Sequence, residues 1–152
     1  MSEQKNIKVR LRLVIIKNDR LLATYDSVDN YFFYVGGKLE FGETIKNGCQ
    51  REVIEECGPR IKFVFKKILY VRDFIIPEKN EHSLELFILG DINRFKELEG
   101  KKGGEFQGKK WLTWLNMDKL PDNLFPKALT PKLLKDCRNG FSKNGEYVGR
   151  IE

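Results

Sequence analysis

Residues 36–58 read GGKLEFGETIKNGCQREVIEECG, and this stretch decides the fold of the chain. Its second part, residues 44–57, contains no proline, and its apolar side chains recur every four positions, at Ile45, Cys49 and Val53. That spacing places them on one face of a helix. Because Gly58 followed by Pro59 cannot continue a helix, we predict a helix over 44–57 whose apolar stripe packs on the core.

The end of this predicted helix carries three carboxylates, Glu52, Glu55 and Glu56. They are related as i, i+3 and i+4 and therefore project from one helical face. Like charges so placed destabilise a helix by roughly 0.2 to 0.5 kcal/mol per pair, so the arrangement needs a cause. A solvated acidic face is the ordinary explanation, but this face adjoins the apolar stripe at the edge of the core. We therefore favour binding of a hard divalent cation, Mg²⁺ or alternatively Mn²⁺, because such ions prefer oxygen ligands.

Glycines stand at two places where the backbone must come close to these carboxylates. Gly36 and Gly37 directly follow a predicted strand, permit a close approach, and leave the Gly36 carbonyl to point at the same site. Gly48 lies one helical turn before Glu52, although glycine costs about 1 kcal/mol relative to alanine in a helix. We expect its missing side chain to let another loop approach the metal site.

Arg51 is the nearest counter-charge for the three carboxylates. It can reach Glu55 at i+4, and it can also reach back to Glu43 in the loop before the helix. Such pairs would hold the acids in place. The alternative interpretation, an ordinary surface ion pair, would contribute little to stability.

The residues on either side of the stretch 36–58 show strand patterns separated by turn patterns. Residues 7–13 alternate apolar and basic side chains and run into an apolar segment ending at residue 16, which is typical of a half-buried strand. Further strands are predicted at 21–25, 31–35, 61–76 (one long strand or two), 83–90, 111–115 and 146–151, and a second helix at 130–138. Residues 91–108 are polar and contain glycine, so we predict a flexible excursion there. No repeat or linker interrupts the pattern, and we expect a single domain over 1–152.

Composition limits the compartment and the partners. The 152 residues include 28 basic and 22 acidic side chains, and the formal net charge of +6 favours anionic partners. No window approaches the roughly 18 consecutive apolar residues that span a bilayer, so we expect a soluble, cytoplasmic protein with no membrane partner. Cys49 and Cys57 would lie about 12 Å apart along one helix, too far to bridge, and Cys137 stands alone. We expect all three thiols to be reduced.

The spacing within this stretch resembles the Nudix box of hydrolases that cut diphosphates linked to another moiety. Residues 37–59 match eight of the nine specified positions of that box, namely Gly37, Glu43, Arg51, Glu52, Val53, Glu55, Glu56 and Gly58. Pro59 stands where the family usually has an aliphatic residue, and Val35 stands where proline often precedes the paired glycines. Neither departure touches an expected ligand.

The resemblance implies an α+β fold, a Nudix-type α/β/α sandwich around a mixed β-sheet. It implies Mg²⁺ held by Glu52 and Glu56 with help from the Gly36 carbonyl. Glu55 is implied as a further metal ligand or as the catalytic base, and Glu43 and Arg51 as residues that orient the ligands. In some members a glutamate six residues before a tryptophan joins the metals or acts as base. Glu105, six residues before Trp111, fits that place, and a solvent-exposed acid is the alternative.

The activity implied by the resemblance is a metal-dependent pyrophosphohydrolase reaction. The enzyme would cleave the diphosphate linkage of a nucleoside diphosphate linked to another moiety, as in a nucleoside triphosphate or a nucleotide sugar. The partner is then a small-molecule nucleotide, and we expect one or two rings of the aromatic run 31–34 to line the cleft and stack on a base. Two alternatives stay open: removal of pyrophosphate from the 5′ end of RNA, which the positive charge would assist, and a non-catalytic nucleotide-binding regulator. The chain is expected to be a monomer or a homodimer.

Overall fold

A computed structural model describes residues 5–100 and 108–152 of the chain. Within these ranges the elements are, in chain order, β1 (Lys8–Lys17), β2 (Arg20–Asp26), β3 (Tyr31–Lys38), α1 (Ile45–Cys57), β4 (Phe63–Ile76), β5 (Glu81–Ile92), β6 (Lys110–Asn116), β7 (Leu124–Phe125), α2 (Leu129–Arg138) and β8 (Glu146–Gly149). Short 3₁₀ turns occupy Pro77–Lys79, Phe95–Glu97 and Met117–Lys119. Within the predicted segment 61–76, Phe63–Ile76 form one long strand, and the two predicted helices are present.

The strands form one mixed sheet, as expected. Its order is β6-β2-β3-β1-β5-β4-β8, and the short β7 pairs with β3 beside this path. The central strand β1 runs antiparallel to β3 and parallel to β5. This pairing sets Arg12 beside Gly36 on one side and beside Phe87 on the other. The middle of the sheet thus joins the end of β3, where the predicted site begins, to the distant strands β5 and β4.

Two apolar cores cover opposite faces of the sheet. On one face, the Cys49, Val53 and Cys57 stripe of α1 packs in the cluster that contains Leu11 and Leu13 of β1. On the other face, α2 contributes to a cluster that contains Val14 of β1. Successive side chains of a strand point to opposite faces, so the odd and even positions of β1 separate the two cores. The α/β/α sandwich predicted from the sequence is confirmed.

The alternation of β1 also leaves basic side chains on the α2 side of the sheet. Arg10 and Arg12 share the face of Val14, but α2 covers only the Val14 end of that face. The uncovered part forms an open cleft. Its position next to Gly36 places it beside the acidic helix.

The helix α1 begins and ends as predicted. Thr44 caps it, with its hydroxyl oxygen accepting a hydrogen bond from the Asn47 N–H at 3.1 Å, and Gly58 ends it with φ 121°. Cys49 and Cys57 are fully buried beneath the helix, and Cys137 is partly buried. None of the three cysteines forms a disulfide, as expected.

The flexible excursion predicted for 91–108 is wrong over 91–100. The strand β5 continues to Ile92, and Leu98 is fully buried in the core beneath α1. The Glu99 carboxylate accepts hydrogen bonds from the Trp114 N–H at 2.8 Å and from the Thr113 hydroxyl at 2.9 Å. The burial of Leu98 and the hydrogen bonds to Glu99 order the segment 91–100, although its polar sequence suggests flexibility. Among the described residues, no helix has the length and apolar character needed to cross a membrane.

Candidate active site

The two glycines at the end of β3 bring backbone against the acidic face of α1. Gly36 has φ +142°, and a Cβ there would lie 2.0 Å from the Leu11 carbonyl oxygen, so only glycine allows this approach to β1. The Gly36 N–H donates a hydrogen bond to the Glu56 carboxylate at 3.0 Å. A Cβ on Gly37 would lie 2.6 Å from Oε1 of Glu52. The paired glycines therefore form a close-fitting wall for two of the three carboxylates.

Gly48 allows an equally close approach of neighbouring residues to the helix α1. A Cβ there would meet the side chains of Leu11 and Leu39 at 2.8 Å and the Glu43 carboxylate at 3.1 Å. The loop before the helix thus approaches Gly48, and its predicted approach to a metal site stays a prediction. The absent side chain also lets α1 settle directly on β1.

Arg51 ties the acids of the box together. Its Nε donates to Oε2 of Glu43 at 3.0 Å and its Nη2 to Oε1 of Glu43 at 2.6 Å. Its Nη1 donates to Oε1 of Glu52 at 2.9 Å and to Oε2 of Glu55 at 3.2 Å. Its Nη2 also donates to the Lys38 carbonyl oxygen at 2.9 Å. The contacts predicted from Arg51 to Glu43 and Glu55 are confirmed, and Glu52 is an additional partner.

The carboxylates around Arg51 differ in their electrostatics. The hydrogen bond from Arg51 lowers the pKa of Glu43, and the same contact is the main reason that the pKa of Arg51 is raised. Glu52 is only 6 % exposed, and its burial raises its pKa although Arg51 acts against the shift. Glu43 and Arg51 therefore form an ion pair in which each group stabilises the charged form of the other. Glu52 is a buried carboxylate whose negative charge is less fully compensated.

The donor set fits a hard divalent cation. The guanidinium of Arg51 contacts three carboxylates, those of Glu43, Glu52 and Glu55. Its Nη1 already places positive charge between Glu52 and Glu55. All the available donors are oxygens, which Mg²⁺ and Mn²⁺ prefer. Within 5–100 and 108–152, however, no three acidic, His or Cys side chains converge on one point. The Glu55 side chain is 44 % exposed, so binding of a cation would require acidic side chains of α1 to rotate toward it while the helix backbone stays in place.

Two predicted site groups remain predictions. The contact seen from Gly36 uses its N–H, and the use of its carbonyl as a ligand is a separate expectation. Glu105 lies outside the described residues. Its role as ligand or base stays as the sequence suggested it.

A cleft of about 880 Å³ opens beside the acidic helix on the α2 side of the sheet. Gly36, Gly37 and Glu56 line one part of it. Among the described residues, six basic side chains also line the cleft: Arg10, Arg12, Arg72, Lys79, Lys110 and Lys127. These residues were not predicted as site residues, because the basic positions of β1 have the pattern of a solvated strand face. The alternation itself was the available signal, since it predicts that Arg10 and Arg12 share one face.

Aromatic rings line the opposite part of the cleft. The ring of Tyr31 lies 5.5 Å from that of Phe33 and 5.6 Å from that of Phe125, measured between centroids. Tyr34 also lines the cleft, whereas Phe32 packs against Tyr25 at 4.8 Å. Three rings of the run 31–34 thus line the cleft, one more than expected. Aromatic faces together with the side chains of Asp29, Asn30 and Asn123 suit a planar base with polar edges.

Comparison with known proteins agrees with this geometry. The sequence profile of the NUDIX domain matches residues 8–133. The chain belongs to this family. The expected Nudix-type enzyme is thereby confirmed at the level of the family, and Nudix hydrolases generally use divalent metal ions and act on small nucleotide-linked substrates.

Solved structures of Nudix proteins share the fold. An ADP-ribose pyrophosphatase from Streptococcus suis is 20 % identical, with a TM-score of 0.62 over 93 % of this chain and 99 % of that one. A MutT Nudix hydrolase from Burkholderia pseudomallei is 20 % identical, with a TM-score of 0.64 over 86 % of this chain and 97 % of that one. A UDP-X diphosphatase is 17 % identical, with a TM-score of 0.66 over 95 % of this chain and 69 % of that one. At these identities the likeness establishes the fold.

Proposed function

We propose that this Nudix chain is a Mg²⁺-dependent hydrolase, with Mn²⁺ as an alternative ion, that cleaves the diphosphate linkage of a nucleoside diphosphate joined to another moiety. The observation that carries the proposal is the position of the acidic face of α1 at the edge of a cleft with cationic and aromatic walls. The reactions named for two similar structures, an ADP-ribose pyrophosphatase and a UDP-X diphosphatase, support the same class of substrate.

The site residues would have distinct roles in the reaction. Glu52, Glu55 and Glu56 would hold the cation together with the Gly36 carbonyl. A bound divalent cation supplies charge neutralisation of the diphosphate and lowers the pKa of a bound water from about 16 to near neutrality. Arg51 and Glu43 keep Glu52 in position through the contacts described above. Glu55, the most exposed of the three, or Glu105 would take the proton from the attacking water.

We propose that residues 1–152 form a single Nudix domain, although the family profile ends at residue 133. The strand β8 pairs with β4, and the Ile151 carbonyl oxygen accepts a hydrogen bond from Nε of Arg72 at 2.8 Å. These contacts join the last residues to the same sheet. A cytoplasmic location and a monomeric or homodimeric state remain predictions.

The test is a substrate panel assayed with Mg²⁺ and with Mn²⁺. It should include nucleoside triphosphates, nucleoside diphosphate sugars, dinucleoside polyphosphates and capped RNA. We expect turnover of at least one small nucleotide, lost on addition of EDTA, and a fall of kcat of about 100-fold or more in Glu52→Gln and in Glu56→Gln. Glu97→Gln, at an exposed glutamate of a 3₁₀ turn, is the matched control. Unchanged turnover in both site variants at saturating metal would remove the proposal.

The 5′ end of RNA is a second candidate substrate, favoured by the six basic side chains of the cleft and by the net charge of +6. A long RNA held by its phosphates should bind with a steep dependence on salt, whereas a free nucleotide should show a shallow one. Comparison of a 5′-triphosphate RNA with the matching nucleoside triphosphate at two salt concentrations separates the two. A non-catalytic regulator would bind a nucleotide without turnover in the same panel.

A further inference from the structure

The α2 side of β1, β5 and β4 carries a row of shared ion pairs. The Glu81 carboxylate contacts Nζ of Lys8 at 3.1 Å and Nη2 of Arg10 at 3.2 Å. One step along the row, the Glu85 carboxylate contacts Nε of Arg12 at 3.0 Å and Nη1 of Arg72. We call these six side chains the basic wall. Each of its two carboxylates is shared by two cations.

The basic wall has more positive than negative charge, and two of its six side chains, Arg72 and Glu85, are buried. Four cations face two carboxylates, which leaves a surplus of two positive charges. In the Arg12–Glu85–Arg72 group the side chains are 18 %, 4 % and 8 % exposed. A surplus charge in such a place is costly unless another group compensates it. Glu52 of the acidic helix offsets part of this charge, since the charge of Arg12 opposes the burial that raises the pKa of that carboxyl. An anion that enters from the cleft would compensate the rest.

Arg12 has donors available for that anion. A guanidinium carries five N–H donors, and the described residues provide an acceptor only for Nε of Arg12, the Glu85 carboxylate. The Arg12 side chain lines the cleft in which a substrate would lie. Lys79, exposed in the turn before β5, lines the same cleft.

The basic wall begins next to the acidic helix and leads away from it. Arg12 pairs with Gly36, whose N–H contacts Glu56, so this end adjoins the proposed metal site. Arg72 lies two strands away from β1, about 10 Å at the usual spacing of neighbouring strands.

The rings of Tyr31, Phe33 and Phe125 lie on β3 and β7, on the other side of β1 from β5 and β4. Two further rings of the cleft, Phe74 and Phe87, lie on the strands of the basic wall itself, and the Arg72 guanidinium stacks 4.8 Å from the centroid of the Phe74 ring. A nucleotide with its base on the rings of β3 and β7 would direct its far end along the basic wall.

We propose that the basic wall binds a phosphate group of the substrate beyond the two that the cleaved bond joins. The substrate is then a nucleoside triphosphate or a longer polyphosphate, in preference to a nucleotide sugar whose far end is uncharged. This rests on the proposed function. In the reaction, the oxygen of water bonds to one phosphorus, the bridging P–O bond breaks, and the leaving phosphate keeps the electron pair.

The first test compares substrates that share a base. ATP is paired with ADP-ribose, GTP with GDP-mannose and UTP with UDP-glucose, and diadenosine tetraphosphate identifies a longer polyphosphate as the source of the extra phosphate. We expect kcat/KM to favour the triphosphate. Arg12→Gln should lower kcat/KM for the triphosphate by roughly tenfold or more, since a charge-assisted hydrogen bond is lost, and for the sugar by less than about threefold. Equal losses for both substrates, or preference for the sugar, would overturn the inference.

The variants are chosen so that the fold survives. Arg12→Gln leaves Arg72 and Glu85 as a neutral pair and so removes the surplus charge of that group. Lys79→Gln is a second variant at an exposed position and should also weaken the triphosphate selectively. Arg20→Gln, at an exposed arginine that begins β2, makes the same change of charge away from the cleft and should change the turnover of neither substrate.

A second test separates this inference from the proposed activity. Calorimetry in EDTA, with inorganic tripolyphosphate as the probe and sulfate as the comparison, measures the basic wall without turnover. We expect tripolyphosphate to bind the unmodified chain and to bind Arg12→Gln at least about tenfold more weakly. Binding that survives Arg12→Gln unchanged would place the anion elsewhere and refute the inference. An absence of hydrolysis with this binding intact would refute only the proposed function.

Discussion

Gly37→Ala should damage the metal site while it spares the fold. The new Cβ would lie 2.6 Å from Oε1 of Glu52, and ordinary van der Waals contact begins at 3.4 Å, so the carboxylate must retreat by about 0.8 Å. Gly37 is not among the glycines with positive φ, so alanine is compatible with its backbone. The atom that must move is the far end of a flexible side chain. A misplacement of about 1 Å in a reacting group costs on the order of 100-fold in rate, and we expect a fall in kcat of that size.

The measurements pair Mn²⁺ binding, followed by electron paramagnetic resonance, with turnover and urea unfolding. Gly37→Ala should weaken Mn²⁺ binding and lower kcat, while the free energy of unfolding changes by less than about 1 kcal/mol. Gly36→Ala is the contrasting variant, since its Cβ would meet the Leu11 carbonyl oxygen at 2.0 Å and should disturb the sheet itself. Gly145→Ala, in the loop before β8, controls for the substitution alone. Wild-type Mn²⁺ affinity and kcat in Gly37→Ala would refute the placement of Glu52 in the metal site.

Three further changes test other parts of the molecule. Arg51→Gln leaves three carboxylates without their guanidinium, so the free energy of unfolding should fall by about 2 to 4 kcal/mol in urea titrations at neutral pH, and a loss below about 0.5 kcal/mol would contradict the ion-pair network. The pKa of Glu81 is lowered from 4.5 to about 2, first by the hydrogen bond from the Ser83 hydroxyl and then by its basic partners. A lowered carboxyl pKa stabilises the fold above the unfolded value of 4.5, and that stability is lost as the pH falls from there toward 2. Ser83→Ala should therefore move the acid unfolding midpoint to higher pH, as followed by circular dichroism, and a midpoint that stays or falls would show that the hydroxyl is not the cause. Gly90→Ala would place a Cβ 2.0 Å from the Phe63 ring, so thermal unfolding should show a loss of about 1 to 3 kcal/mol, and an unchanged Tm would mean that the ring moves away freely.

The acidic helix was predictable because its determinants are local. A four-residue apolar repeat, a capping threonine and a terminal Gly-Pro lie within one continuous stretch, and the structure places α1 at Ile45–Cys57 accordingly. Contacts between Arg51 and its neighbours on the helix follow from helical geometry. The partnership with Glu43 was also accessible, since only eight residues separate the two.

The cleft was not predictable in the same way. Glu85 joins Arg12 to Arg72 only because β1 lies parallel to β5, and β5 antiparallel to β4. Parallel pairing of strands more than seventy residues apart leaves no local signal in the sequence. The basic positions of β1 therefore look like a solvated face until the sheet is assembled. The same limit explains the segment 91–100, whose order depends on the distant partners of Leu98 and Glu99.

The thiols beneath α1 make the attachment of this helix measurable by chemistry. Cys49 and Cys57 have no exposed surface, and burial raises the pKa of Cys49 to about 12. Alkylating reagents attack the thiolate, so neither sulfur can react until the helix lifts from the sheet. Cys137, only partly buried on α2, supplies an internal reference for the reagent. The rate of alkylation at Cys49 relative to Cys137 thus reports how often the carboxylate-bearing helix detaches, in the unmodified protein and without any added probe.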